Sequence, residues 1–192
     1  MGESSGHLQK IQQKIASGKR LDFDDGLKLF RSHDVLTIGA MAHQVRERMH
    51  GRRVFYAINL HLNPTNICST QCEFCAFSRE EGAPGAYTLT LDEIEQTVRD
   101  AIDRWQINEV HIVGGHNPAL GFDHYLEMLR RLRKVGSGLF IKAFSATEID
   151  FMAKISGLSW SEVLVRLKEA GLDGMPGGGA EVFSSRVRER VC

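Results

Sequence analysis

Apolar positions in the first third of the chain recur at helical spacing. Leu8, Ile11 and Ile15 fall on one helical face, and Gly18 ends the pattern. Asp22 is placed to cap a second helix whose apolar positions include Leu27, Leu29 and Phe30. A third helix is predicted over 35–49, with Leu36, Ile38, Met41 and Val45 as its apolar set. Residues 1–53 therefore read as a helical prelude, too short for an ordinary independent domain.

From Val54 the period changes. VFYAINLHL (54–62) predicts a strand that Asn63-Pro64 ends. Thr90 with Glu93 forms a capping box for a helix carrying Ile94, Val98, Ala101 and Ile102. EVHIVGG (109–115) predicts the next strand, and 122–132 an amphipathic helix with Tyr125, Met128 and Leu129 inward. LFIKAF (139–144) is a third strand. Thr147 is then expected to cap a helix reaching Ile155, with Glu148 in its first turn. Ser159 and Glu162 open another, with Val163, Leu164 and Leu167 inward and Gly171 as its stop. A short fourth strand over 172–175, the PGGGAE segment and a helical stub over 185–191 complete the pattern. Strand–helix alternation of this kind predicts an α/β fold with parallel strands and outer helices in residues 54–192. Three or four units fit either an open sheet or an incomplete barrel.

Composition leaves that picture intact and removes some functions. Of 192 residues, 42% are hydrophobic and 25% charged, as in globular domains. Lys plus Arg and Asp plus Glu each number 24, a balance that points to neither nucleic acid nor a membrane surface. No apolar run approaches bilayer-spanning length, and the polar N-terminus lacks the core of a secretory signal. A cytoplasmic location is expected.

Three of the four cysteines fall together in NPTNICSTQCEFCAF (63–77), while Cys192 is the last residue. Cys68, Cys72 and Cys75 have Cys-x3-Cys-x2-Cys spacing, close enough to bind three irons of one cubane [4Fe–4S] cluster and leave the fourth open. Competing readings are a Cys3His zinc site that includes His61 and a redox pair formed by Cys72 and Cys75. The loop follows a strand, where β/α folds build their sites. Further candidates lie at the other strand ends. Gly114 and Gly115 permit close backbone approach, and His116 and Asn117 follow them in a loop. Lys142 alternates with apolar neighbours and faces either a barrel interior or solvent, an ambiguity shared by His111. Glu181 after three glycines is a candidate polar contact to a ribose or base edge, although plain linker glycine explains that stretch equally.

Taken together, HLNPTNIC, CEFCAFSR, EVHIVGGHNP, IKAFSATEIDF and the segment from SGLSW to the C-terminus resemble the aminofutalosine synthase family of radical S-adenosylmethionine (SAM) enzymes, over nearly the whole chain. HIVGG and KAFSATEID favour the synthase, whereas Asn117-Pro118 is a feature of the related dehypoxanthine futalosine cyclase. The resemblance implies a [4Fe–4S] cluster on Cys68, Cys72 and Cys75, with none of its ligands from Cys192. It implies SAM as co-substrate, an external one-electron reductant such as flavodoxin or ferredoxin, and contact of the Gly114-Gly115 pair with the SAM amino group. His116 stands where the family often has an acidic residue. The implied reaction adds the 5′-deoxyadenosyl radical to the enolpyruvyl double bond of 3-[(1-carboxyvinyl)oxy]benzoate and yields aminofutalosine within menaquinone biosynthesis. His116 and Lys142 are then the expected catalytic residues, Lys142 as a cation suited to a carboxylate-bearing adduct. The cyclase would instead abstract hydrogen and close a ring. The family's chains are longer and form a complete barrel, so the expectation here is a partial radical SAM barrel: a fragment, a truncated product or a piece completed by a partner.

Overall fold

A computed structural model describes residues 3–177 and 182–191. Its contacts divide the chain into two compact units, 1–56 and 57–192.

The first unit holds α1 (Glu3–Ala16), α2 (Phe23–Arg31) and α3 (Val35–His50). Leu8, Ile11 and Ile15 of α1 meet Met41 of α3 in a small core, with Leu29, Ile38 and Val45 against it. Asp22 caps α2 as expected. Its side chain accepts from the Asp25 N–H, and Asp25 returns the bond to the Asp22 N–H. Lys14 bridges both carboxylates at 2.8 and 2.5 Å, and its ammonium holds the Asp22 carboxyl down at about 2. Phe30 and Leu36 do not join this core; both are almost fully exposed. Leu36 stands two residues from Ile38, and residues two apart do not share a helix face.

In the second unit β1 (Asn59–Leu62), β2 (Glu109–Ile112) and β3 (Phe140–Ala143) form a parallel sheet in the order β1-β2-β3. Between them run α4 (Leu91–Trp105) and α5 (Phe122–Val135). After β3 come α6 (Ala146–Ser156), α7 (Trp160–Ala170) and the short α8 (Ser185–Val191). This is the expected α/β architecture of N-terminal helices followed by a parallel sheet with flanking helices, and the three strands do not close into a barrel. Alternation along the strands fixes its core. Leu62, Val110, Ile112, Ile141 and Ala143 are buried with Ile94 and Val98 of α4 and Leu129 and Leu132 of α5.

Four local expectations need correction. The first strand does not begin at Val54, since Val54, Phe55 and Tyr56 are exposed and pairing starts at Asn59. Asn108 closes that end of the ladder: its side chain accepts the Ile58 N–H at 3.0 Å and its own N–H donates to Ile58 O at 2.9 Å. Thr147 is not a cap. Ser145 is, with Glu148 at the reciprocal position. The segment 172–175 makes a single parallel bridge, Gly174 to Lys142, rather than a strand. Leu164 is partly exposed while Val163 and Leu167 are fully buried, so α7 presents a narrower apolar face than its sequence suggests.

Candidate active site

The cysteine loop leaves the C-terminal end of β1 and is closed at its neck by its own backbone. Thr65 pairs with Thr88, and Ile67 with Arg79. Cys68 N donates to Arg79 O at 3.1 Å, Arg79 N to Asn66 O at 2.8 Å and Leu89 N to Pro64 O at 2.8 Å. Buried Asn66 completes the closure: its side chain accepts the Tyr87 N–H and donates to Gly85 O. Beyond this neck the three cysteines are half-buried and joined by no disulfide. Cys75 N donates to Cys72 O at 3.0 Å, which sets their turn. Burial pushes the Cys75 thiol up, but hydrogen bonds from Ser78 and the Phe77 N–H, with the nearby Arg79 charge, bring it below its ordinary value. Among the described residues no three His, Cys, Asp or Glu side chains converge closely enough to hold a metal ion. The donor set nonetheless suits a soft, thiolate-ligated group: three thiols on one anchored loop, partly open, one biased toward thiolate.

The glycine pair after β2 is pressed onto that loop. Gly115 N donates to Thr65 O at 2.9 Å. A methyl replacing the Gly115 hydrogen would lie 2.2 Å from Ile67 O and 3.1 Å from Cys68 Cβ. At Gly114 it would lie 3.2 Å from Thr65 O. His116 continues the contact: its carbonyl accepts the Ser69 N–H at 2.9 Å, and its Nδ1 lies 2.7 Å from Thr70 Oγ1. The imidazole stacks on Phe151 of α6 with centroids 5.0 Å apart. Burial holds it below the usual histidine value. Asn117, expected to reach a ligand, is instead buried, with its amide on Thr65 and Thr88 and its carbonyl on the Ala119 N–H.

Glu148 was legible only as a first-turn acid, and the structure gives it a second task. Besides capping α6 through Ser145 N and Oγ, it accepts the Gly114 N–H at 3.0 Å. The signal in the sequence was the Ser145-x-x-Glu148 box itself. Burial raises its carboxyl above the ordinary 4.5, against the hydrogen bonds from Ser145 and Gly114 that lower it. An acid whose folded value is raised binds more protons folded than unfolded, so stability falls as pH rises through that window. Urea unfolding from about pH 4 to about pH 7 is expected to show this decline in the wild type and a shallower one in Glu148→Ala. That variant is less stable throughout, because two part-buried N–H groups, of Gly114 and Ser145, lose their acceptor.

Lys142 lies on the sheet face opposite the aliphatic core, in register with His111, with its Nζ 2.8 Å from Glu109 Oε1. Neither of these partners was foreseen for it. Glu181 and Cys192 lie outside the described residues.

Three thiols on an anchored loop at the mouth of β1, facing a glycine pair at the mouth of β2, give a β/α protein whose candidate site lies at the C-terminal strand ends. The chain belongs to the radical SAM superfamily, whose sequence profile matches residues 62–192. It is 43% identical over 187 residues to an aminodeoxyfutalosine synthase of Thermus thermophilus, covering 96% of this chain and 50% of the relative. It is 37% identical over 185 residues to a cyclic dehypoxanthine futalosine synthase of Halalkalibacterium halodurans, covering 96% and 50%. Among solved structures, methylornithine synthase superposes with a TM-score of 0.70 at 19% identity over 94% of this chain and 50% of that one, which bears on the fold. The chain spans about half the length of the curated relatives it matches. No helix among the described residues is long and apolar enough to cross a membrane.

Proposed function

We propose that this chain carries the cluster- and SAM-binding part of an aminofutalosine-forming radical SAM enzyme. The anchored cysteine loop carries this reading, supported by the 43% identity to an aminodeoxyfutalosine synthase against 37% to a cyclic dehypoxanthine futalosine synthase. Cys68, Cys72 and Cys75 would hold a [4Fe–4S] cluster. Bound there, such a cluster would supply reductive cleavage of SAM to methionine and the 5′-deoxyadenosyl radical, given an electron from a small reductant such as flavodoxin or ferredoxin.

The protein's own part is to position and enclose. Gly114 and Gly115 keep β2's end flat against the loop, leaving backbone groups where the SAM amino group would lie. His116, braced between Thr70 and Phe151, ties the stretch between Cys68 and Cys72 to α6. Its imidazole remains beside the site to meet a substrate or cofactor hydroxyl. Lys142 offers the ammonium for a substrate carboxylate, and Glu181 a contact for SAM's ribose or base.

The test is anaerobic turnover by the intact protein with SAM and a reductant, offered each substrate separately. Aminofutalosine formed from 3-[(1-carboxyvinyl)oxy]benzoate is the expected result. Free 5′-deoxyadenosine with ring closure of dehypoxanthine futalosine, and no adenosyl incorporation from the ether, would transfer the assignment to the cyclase.

A further inference from the structure

The third residue of every strand is ionisable and stands in register with the next: His61 with His111, His111 with Lys142. Strands of a parallel sheet buried on both faces normally carry aliphatic side chains on both. Here only one face does. Leu60, Leu62, Val110, Ile112, Ile141 and Ala143 belong to the core, and strand alternation puts the polar row on the other face. The two imidazoles lie side by side, centroids 5.1 Å apart and planes tilted by 53°. Lys142 is steered from the rung below by Glu109, whose side chain is only 12% exposed. The ammonium sits 2.8 Å from Glu109 Oε1, an ion pair that holds the lysine head over the polar row. An ammonium carries three N–H donors, so a lysine paired with this one oxygen is oriented by it and keeps donors for a ligand.

We infer that His61, His111 and Lys142 form the floor of the substrate site and take an aryl carboxylate, the imidazoles against the ring and the ammonium against the carboxylate. This rests on the proposed function, whose substrate is an aromatic acid, and deepens it by deciding which end of that substrate points where. With strands about 4.8 Å apart, the row spans about 10 Å from His61 to Lys142, room for a ring and its acid group side by side. The row also lies one residue before the strand ends, beneath the cysteine loop. The double bond that reacts must approach SAM at the loop, so the ring carboxylate is the end directed downward onto Lys142. The enolpyruvyl carboxylate stays above, near the glycine pair and His116.

The probe is 3-methoxybenzoate, with anisole as its carboxylate-free counterpart, titrated into the intact cluster-loaded protein. Dissociation constants come from calorimetry and site occupancy from the ring ¹H–¹⁵N resonances of His61 and His111. The wild type is expected to bind the benzoate at least tenfold more tightly than anisole and to shift both histidines. Lys142→Met should abolish that preference with SAM affinity unchanged. Because it strands the Glu109 carboxylate, the double variant Glu109→Gln/Lys142→Met is measured alongside and should behave the same way. If either folded variant retains the wild-type preference, or if the histidine resonances stay still while the benzoate binds, the subsite is wrong and the proposed reaction stands. If the wild type neither binds the benzoate nor converts the enolpyruvyl ether, both readings fall together.

Discussion

Cys68→Ala is expected to yield a protein that takes up no cubane cluster on anaerobic reconstitution. Its visible absorption and its electron paramagnetic resonance signal after reduction should both be absent, and SAM cleavage should fall to background. Two thiolates from Cys72 and Cys75 cannot hold a cluster that needs three. The substitution also leaves the fold in place. Cys68 meets the rest of the loop through its backbone N–H on Arg79 O, which alanine keeps, and its thiol is only half-buried. Loss of the spectrum without loss of cooperative unfolding is therefore the expected pair of results. Iron and sulfide content equal to wild type would remove Cys68 from the ligand set. Zinc content undiminished by the substitution, with no iron, would favour neither a cluster nor the Cys3His alternative built on this cysteine.

Gly115→Ala is expected to be damaging in another way. The added methyl falls 2.2 Å from the Ile67 carbonyl oxygen and 2.7 Å from its carbon. Those are backbone atoms of the loop's closed neck, so they cannot turn aside as a flexible side chain would. Either the Gly115–Thr65 hydrogen bond breaks or the loop shifts bodily. Forcing volume into a packed contact costs about 1–3 kcal/mol, and the upper end applies where backbone must move. Chemical denaturation should show that loss, and reconstitution should give substoichiometric cluster because Cys68 moves with Ile67. Gly114→Ala, whose nearest contact is 3.2 Å, should be milder. Equal stability in wild type and Gly115→Ala would show that the close approach of β2 to the loop is not maintained in solution.

The legible parts of this molecule were those governed by neighbours in sequence. The Thr90–Glu93 and Ser159–Glu162 boxes lie where the spacing put them. The aliphatic positions of β2 and β3 are buried as alternation requires, and the cysteine spacing identified the loop that the fold places at a strand mouth. The misreadings came from features that depend on distant residues. Val54 to Tyr56 have strand-forming side chains, yet pairing begins only at Asn59, where Asn108 of the neighbouring strand's approach closes the ladder on Ile58. Thr147 and Ser145 are both good capping residues. The choice fell to Ser145 because Glu148 three residues on can cap and also reach Gly114, a contact formed only once β2 lies beside β3. Asn117 looked like a loop ligand, yet Thr65 and Thr88 from a remote segment consume its side chain. Lys142 was ambiguous for the same reason: its orientation depends on Glu109 of the adjacent strand.

The capping boxes bear on how this chain acquires its shape. Four helices, α2, α4, α6 and α7, begin with a reciprocal box between residues three apart. Their start points are set within single turns and can be selected within microseconds of collapse. The sheet is the opposite case: β1 must find β2 across 50 residues of chain before it has any partner strand. Loop-closure entropy delays such pairings, so parallel sheets assemble slowly. Substitutions at Ser159 or Thr90 would then alter how readily helices seed the collapsed chain. Substitutions in the β1–β2 ladder would govern the late barrier at which the cysteine loop first acquires its neck.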